Sequence, residues 1–199
     1  SLYVPNGCLA AYKSSRYWKD FKEIKEIKDF VPEGDGIFYI LDKEKMVAEA
    51  TSMPDDAKYG GDLTIPSSIT DEGKKFRVTS IGEEAFNGCG DLITITIPES
   101  VISIGERTFC ECSSLTSVII PESVTSIGTA AFFGCFNIEA ITIPQSVSYI
   151  GDFAFYGNTL QTIFVEEGNK TFDSRNKCNA IIKKESDELI QGCDESVIP

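Results

Sequence analysis

The chain has 199 residues, of which 42% are hydrophobic, so it is long enough to bury a substantial core. Its 31 acidic residues outnumber the 18 basic ones, and the net charge of −13 would repel a phosphate backbone, which argues against a nucleic-acid partner. The chain contains no histidine, which excludes Ser-His-Asp and Cys-His catalysis and removes the commonest transition-metal ligand. No apolar run approaches the ~20 residues that a helix needs to span a bilayer.

Basic residues are concentrated near the start of the chain. Six of the 18 fall in one short stretch, at Lys13, Arg16, Lys19, Lys22, Lys25 and Lys28. We interpret this cluster as the solvated face of a helix. The remainder of the chain is therefore even more acidic.

An internal repeat of 23 residues organises the middle of the chain. The pair Ile-Gly recurs at 81–82, 104–105, 127–128 and 150–151. A phenylalanine follows four residues after each glycine, at Phe86, Phe109, Phe132 and Phe155. Prolines recur with the same step, at Pro98, Pro121 and Pro144. Several markers that share one period are very unlikely by chance, so the sequence predicts a solenoid of stacked units.

Each unit is predicted to contain one strand and one compact turn. β-Branched and other aliphatic residues alternate with polar ones over 92–97, 115–120, 138–143 and 160–165, which is typical of half-buried strands. Proline ends the strand, glycine permits a sharp turn, and a short 3₁₀-like turn carries the phenylalanine inward. Because no unit can bury its own hydrophobic face, we expect these strands to be parallel neighbours in one sheet, about 4.8 Å apart.

The seven cysteines fall into groups with different expected roles. The repeat stacks three of them, Cys89, Cys112 and Cys135, with parallel Cβ vectors that suit a disulfide poorly. We predict that these three are buried thiols rather than metal ligands. Cys178 and Cys193 flank a predicted hairpin, and a disulfide between them stays open as an alternative. Cys110 is expected to be the more exposed thiol.

Two further patterns are weak signals of a metal or modification site. The acidic pairs Asp55-Asp56 and Glu33/Asp35 do not follow the spaced-oxygen pattern of a calcium loop, and we interpret them as solvated. Asn169-Lys170-Thr171 matches a glycosylation sequon. Neither signal predicts a metal or cofactor site.

The repeat units resemble the BspA-like branch of the leucine-rich repeats, whose consensus is similar to L-x-x-V-x-I-P-x-S-V-x-x-I-G-x-x-A-F-x-x-C. Two stretches match it almost position by position: LTSVIIPESVTSIGTAAFFGC at 115–135 and IEAITIPQSVSYIGDFAFYGN at 138–158. The resemblance implies a leucine-rich-repeat solenoid. This would be a right-handed coil of 23-residue repeats, mainly β, with short 3₁₀ or helical turns and an N-terminal amphipathic helix.

The resemblance also divides the chain into four regions. Residues 1–30 resemble the terminal piece of a preceding array, with a strand that ends at Val4-Pro5 and then an amphipathic helix. The apolar face of that helix would be formed by Leu9, Tyr12, Trp18 and Phe21. Residues 31–80 resemble a β-rich lead-in segment, residues 81–165 carry the leucine-rich repeats, and residues 166–199 resemble a truncated variant repeat. We therefore expect an excised fragment or the product of a truncated gene.

The resemblance implies a secreted or cell-surface bacterial protein that binds a protein ligand, such as a host or matrix protein, in adhesion. It implies no catalytic residue, cofactor or metal. The candidate binding surface is the concave strand face, formed by the outward positions Thr94, Thr96, Ser117, Ile119, Ala140, Thr142, Thr162 and Phe164. Ile119 and Phe164 are the most informative, because exposed apolar residues anchor partners. The alternative is a structural spacer that projects other domains and has a passive surface.

Overall fold

The computed structural model describes residues 36–53, 57–193 and 196 in full, together with the backbone of the strands at 2–5, 24–27 and 30–32. The predicted apolar helix face, Leu9, Tyr12, Trp18 and Phe21, lies outside the described residues. Residues 24–27, which we expected to belong to that helix, form a strand instead. This strand pairs in parallel with residues 2–5, from Leu2 opposite Ile24 to Pro5 opposite Ile27. Isoleucine at both ends of this strand suits an extended backbone better than a helix.

Eighteen strands and one short 3₁₀ helix make up the described part of the chain. They are β1 (Leu2–Pro5), β2 (Ile24–Ile27), β3 (Phe30–Pro32), β4 (Phe38–Asp42), β5 (Val47–Thr51), β6 (Gly61–Thr64), β7 (Ser68–Asp71), β8 (Lys74–Ile81), β9 (Leu92–Thr96), β10 (Ser103–Ile104), β11 (Ser117–Val118), β12 (Ser126–Ile127), β13 (Ala140–Ile143), β14 (Tyr149–Ile150), β15 (Thr162–Val165), β16 (Phe172–Asp173), the 3₁₀ helix Arg175–Lys177, β17 (Ala180–Lys183) and β18 (Glu188–Gly192).

One parallel ladder runs through the Ile-Gly motifs. Strands β8, β10, β12 and β14 pair in parallel. The residues in register, Ile81, Ile104, Ile127 and Ile150, lie 23 positions apart along the chain. Beyond β8 the same sheet continues through β5, β4 and β3, and β7 folds back on β8, which gives eight strands. Consecutive units therefore stack directly on one another, as a solenoid requires.

The second ladder corrects the expectation of a single sheet. Strands β6, β9 and β11 form one parallel sheet, and β13 and β15 form another. The parallel direction is confirmed, but no strand pairing joins β11 to β13 in these described coils. β11 is only two residues long, and Ile119 and Ile120 leave the ladder. The Ile127 ladder and the stacked core hold these two coils together, so the interruption does not separate them.

The phenylalanines of the repeat form one continuous stack, as predicted. Successive ring centroids of Phe86, Phe109, Phe132 and Phe155 lie 5.2, 5.1 and 5.5 Å apart, with nearly parallel planes. All four rings are buried. Tyr59 continues the stack at the N-terminal end, 4.8 Å from Phe86 and tilted by 51°. The core is therefore a column of rings that is shared between coils rather than contained within one coil.

The turn that carries each phenylalanine is not the 3₁₀-like turn that the sequence suggested. One residue in each turn adopts positive φ: Glu84 (55°), Arg107 (50°), Ala130 (52°) and Phe153 (58°). In the first three turns the N–H of that residue donates to a carbonyl of the next coil, for example Arg107 to Thr129 at 2.8 Å. The turns therefore stack as a hydrogen-bonded column. The left-handed residue turns the N–H outward from its own coil, which a helical turn would not do.

Glycine in the Ile-Gly motif is needed for close packing rather than for a turn. A Cβ added to Gly105 would lie 2.7 Å from backbone atoms of Gly82 and Glu83, and a Cβ on Gly128 would lie 2.5 Å from the backbone of Gly105 and Glu106. These distances are shorter than any van der Waals contact. The backbones of successive coils can therefore approach one another only where no side chain is present.

The stacked cysteines are buried thiols, as predicted. Cys89, Cys112 and Cys135 are free and at most 1% exposed. The thiols of Cys112 and Cys135 lie 3.1 and 3.0 Å from the carbonyl oxygens of Phe86 and Phe109, to which they donate. Burial raises the pKa of Cys135 to about 12 and raises that of Cys112 as well. The thiolate is the reactive form, so these groups are chemically protected in the folded protein.

Cys110 corrects a different expectation, because it is buried and not exposed. Coils on both sides screen it: Gly88 donates its N–H to the carbonyl of Cys110, and the next residue, Glu111, donates to Phe133. Cys178 and Cys193 do flank a hairpin of β17 and β18, and both are free thiols.

The sequon at Asn169 is occupied by structural hydrogen bonds. Asn169 is 1% exposed. Its amide nitrogen donates to the carbonyls of Pro144 and Val147, at 2.7 and 2.9 Å, and its side-chain oxygen accepts from the N–H groups of Thr171 and Phe172, both at 2.8 Å. A glycan on this nitrogen would replace one of its two hydrogens and so break at least one of these buried hydrogen bonds. The residue therefore joins the variant repeat to the preceding coil and is not a modification site.

Candidate binding surfaces

The candidate residues of the strand face lie at outward positions of β9, β13 and β15, at the first residue of β11, and just after β11. Seven of the eight are exposed and Thr94 is half-buried; the full set is Thr94, Thr96, Ser117, Ile119, Ala140, Thr142, Thr162 and Phe164. The residues that alternate with them point inward and are buried, as Ile95, Ile141 and Ile163 are. This alternation is the two-residue period of a strand with one buried face.

The interruption between β11 and β13 divides the strand face into two groups. Ser117 lies opposite Thr94 on the first sheet, and Thr142 lies opposite Phe164 on the second. Ile119 belongs to neither sheet and is 82% exposed. The structure therefore separates the two apolar residues that the sequence singled out and gives each a different setting.

Ile119 stands over a cleft at this interruption. The cleft has a volume of about 350 Å³, enough for a side chain or a short peptide segment. Its apolar lining includes Ile119, Pro121 and Pro144, and Ala140 and Thr142 of the strand face also contribute. The cleft therefore combines an exposed aliphatic group with a recess beside it.

Three carboxylates make this cleft strongly acidic. Glu99, Glu122 and Glu166 all line it, and none of the described residues that line it is basic. A hydrogen bond with the side chain of Glu166, assisted by partial desolvation and by repulsion from Glu166 and Glu99, raises the pKa of Glu122. The carboxylates thus repel one another in the free protein, and a cation in the cleft would relieve that repulsion.

Phe164 borders a cavity of different character. This cavity has a volume of about 430 Å³ and is lined by Phe164, Lys177, Ser174 and Asn179, among others. The ring of Phe164 is 49% exposed. Lys177 gives this end of the strand face a positive charge, so the two apolar anchors have neighbours of opposite charge.

Two features of the surface were not anticipated. A cavity of about 540 Å³ is lined by Lys75 and Arg77 of β8 and also by Met46, Glu99 and Ser100, among others. Exposed aromatic rings also occupy the turns at Phe153 and Tyr156. The aromatic pair did leave a sequence signal, since the equivalents of Phe153 in the other copies are Glu84, Arg107 and Ala130. The signal is therefore a departure of one copy from the repeat, not a position that the repeat keeps constant.

The described residues contain no group of three or more cysteine or acidic side chains arranged to hold a metal ion. No helix within the same described ranges is long and apolar enough to cross a membrane.

Comparison with known proteins connects these surfaces to a family. Residues 63–184 match the BspA type leucine rich repeat region, in six copies. A leucine-rich repeat protein from Bacteroides capillosus is 33% identical, with 70% of this chain and 99% of that chain covered and a TM-score of 0.61. One from Bacteroides ovatus is 36% identical, with 70% of this chain but only 36% of that chain covered and a TM-score of 0.63.

The pneumococcal vaccine antigen PcpA shares the fold at 21% identity, with 85% of this chain and 57% of that chain covered and a TM-score of 0.53. None of the curated proteins matches this chain.

Proposed function

Since the chain belongs to the BspA-type leucine-rich repeat proteins, we propose that it is a non-catalytic protein-binding module of a bacterial surface or secreted protein, and that it acts in adhesion. Leucine-rich repeats of this type are typically non-catalytic and serve protein interaction. PcpA, which shares the fold, is a pneumococcal vaccine antigen, and we propose an exposed, surface or secreted location for this chain as well. Some relatives are much longer, since the chain spans only 36% of the Bacteroides ovatus protein, so the activity of a whole parent protein is part of the proposal.

The observation that carries the proposal is the exposure of Ile119 and Phe164 on a stacked β scaffold. Their side chains are 82% and 49% exposed, while the inward residues of the same coils are buried. Neither exposed side chain contributes fully to the core, and apolar groups of this size are frequent anchors at the centre of protein interfaces. The scaffold is held by backbone ladders and a ring stack, so little conformational entropy would be lost when a partner binds.

The expected partner is a host or matrix protein with a basic patch on its surface. The net charge of −13 would accelerate the approach of such a partner at low salt. The carboxylates around Ile119 would then meet its lysine or arginine side chains. Association should therefore slow as ionic strength rises.

The test is capture of purified host matrix and surface proteins on the immobilised chain, followed by Ile119→Ser and Phe164→Ser. The matched control is Ile102→Ser, because Ile102 is also an exposed isoleucine, at 44%, but it lies beside β10 on the other sheet. Loss of at least tenfold in affinity for either strand-face variant, with the control unchanged, supports the proposal. Equal affinity for all three variants removes the strand face from it.

A structural spacer remains the second candidate because of a specific feature of the same face. Apart from Ile119 and Phe164, its residues are small and uncharged: Thr94, Thr96, Ser117, Ala140, Thr142 and Thr162. Such residues suit an extended strand whether or not anything binds. Capture of no protein at all by the intact chain would favour the spacer.

A further inference from the structure

The turns that carry the core phenylalanines also carry an aromatic cluster at the surface, here called the aromatic ridge, which consists of half-buried Phe133 and exposed Phe153 and Tyr156. The rings of Phe133 and Tyr156 stack with centroids 5.7 Å apart, and Phe153 meets Tyr156 edge to face at 5.9 Å. Phe153 is 65% exposed and Tyr156 is 58% exposed. Three rings are thus held together at the surface, outside the buried stack.

The backbone conformation at Phe153 is unfavourable for a phenylalanine. It adopts φ of 58°, the left-handed conformation that the scaffold also imposes at the equivalent residues Glu84, Arg107 and Ala130. A bulky side chain in this conformation is strained, and an exposed ring gains little from burial in return. Core packing therefore does not account for a phenylalanine at this point of the turn.

Two cavities flank the ridge, and Phe153 lines both of them. One has a volume of about 290 Å³ and also contains Phe133, Ala130 and Thr129. The other has a volume of about 270 Å³ and also contains Tyr156 and Leu189, whose side chain is 49% exposed. The ring of Phe153 therefore stands between two recesses, so that one extended segment could contact both.

The rims of these cavities are acidic. Glu106 and Glu111 border the first cavity, and Asp152 and Glu188 border the second. The single basic residue among the described lining residues is Arg107, whose guanidinium lies 3.6 Å from the carboxylate of Glu84. Exposed rings surrounded by carboxylates favour a positively charged ligand, because a cation is attracted both to the ring faces and to the rim.

We propose that the aromatic ridge docks a basic peptide segment of a partner protein, with a lysine or arginine side chain against Phe153 and its neighbouring side chains in the two cavities. The cation–π contact and the rim carboxylates select the charge. The recesses select an extended segment over an isolated cation. This surface consists of different residues from the strand face and does not depend on the function proposed for it.

The experiment measures fluorescence anisotropy of a labelled, end-blocked nonapeptide of alternating lysine and alanine against the intact chain. Replacement of Phe153 by Ser is expected to weaken binding about tenfold, the scale of a partly desolvated cation–π contact with its burial. The matched control is Phe136→Ser, because Phe136 is also exposed, at 55%, but lines neither cavity. Both substitutions leave the net charge unchanged, so a general attraction to an acidic protein affects them equally.

A second variant separates binding from folding. Phe153→Gly suits the left-handed conformation, so its melting temperature should stay within roughly a few degrees of the parent while its affinity falls as in Phe153→Ser. The proposal is overturned if Phe136→Ser weakens binding as much as Phe153→Ser. It is also overturned if the glutamate counterpart of the peptide, or a labelled neutral oligosaccharide, binds as tightly as the lysine peptide.

Discussion

Replacement of Phe132 by alanine tests whether the ring column is the main source of stability. Phe132 is completely buried and has ring neighbours on both sides, Phe109 at 5.1 Å and Phe155 at 5.5 Å. Removal of a buried phenylalanine costs about 3–5 kcal/mol of unfolding free energy in total, and within that total each ring pair contributes about 0.5–1.5 kcal/mol. We therefore expect a loss near the upper end, about 4–5 kcal/mol. Phe155→Ala should cost less, since that ring stacks on Phe132 alone within the column.

Urea unfolding followed by circular dichroism measures this loss by linear extrapolation. The free energy of unfolding of an ordinary domain is only about 5–15 kcal/mol, so Phe132→Ala could leave the chain unfolded. Phe132→Leu is therefore a milder variant of the same site. Phe136→Ala is the control, because its ring is 55% exposed. A loss below about 1 kcal/mol for Phe132→Ala, or a loss equal to that of the control, would refute the ring column as the core.

Three other changes probe the scaffold. Gly128→Ala places a Cβ 2.5 Å from the backbone of the preceding coil and should lower the free energy of unfolding in urea by about 2 kcal/mol or more. The control is Gly90→Ala, which should cost much less because its Cβ would lie 3.4 Å from Ser113 Oγ. Equal losses of unfolding free energy in the two variants would contradict the close-packing role of Gly128. Glu122→Gln should raise the melting temperature at neutral pH, because the raised pKa means that the folded protein disfavours the charged carboxyl, and stability is lost as pH rises through that pKa. This rise in melting temperature should vanish at a pH well below 4.5, the ordinary pKa of a glutamate. A rise that persists in acid would exclude repulsion between carboxylates as its cause. Cys135 should react with a thiol reagent only after unfolding, and far more slowly than the half-buried Cys193. Burial raises the pKa of Cys135 from 9.0 to about 12. The resulting contribution to folding stability should be present below pH 9.0 and be lost as the pH rises toward 12, which thermal melts at alkaline pH would measure. Rapid labelling of Cys135 in the native state would contradict its burial.

Features that recur in every copy of the repeat were predicted correctly, whereas features that depend on neighbouring coils were not. The inward phenylalanines and cysteines were predicted because each copy repeats the same residue at the same position, and stacking must place equivalent residues together. The prediction that Cys110 is exposed was wrong, because its equivalents in the other copies are not cysteines and its burial depends on the coils above and below it. Residues 24–27 were wrongly predicted to be helical, because the basic cluster was interpreted as a helix face and the resemblance implied a helix in this region, whereas pairing with 2–5 decided the outcome.

For the candidate surfaces too, the sequence predicted which residues point outward but not what surrounds them. Alternation along the strands was sufficient to identify the outward residues, since a strand with one buried face has a period of two. That alternation could not reveal that Ile119 leaves the ladder beside three carboxylates, or that Phe153 divides two cavities. Both facts depend on residues from different coils.

By itself, then, the sequence determined the repeat period, the identity of the inward residues and the parallel stacking of units, because these follow from local periodicity and from the need of each unit to bury one face. Only the tertiary structure decided where the strand ladder is interrupted, which residues adopt left-handed turns and which carboxylates converge. These depend on distances between backbones of neighbouring coils, and residues that are about 23 positions apart in the chain become adjacent only when the coils stack.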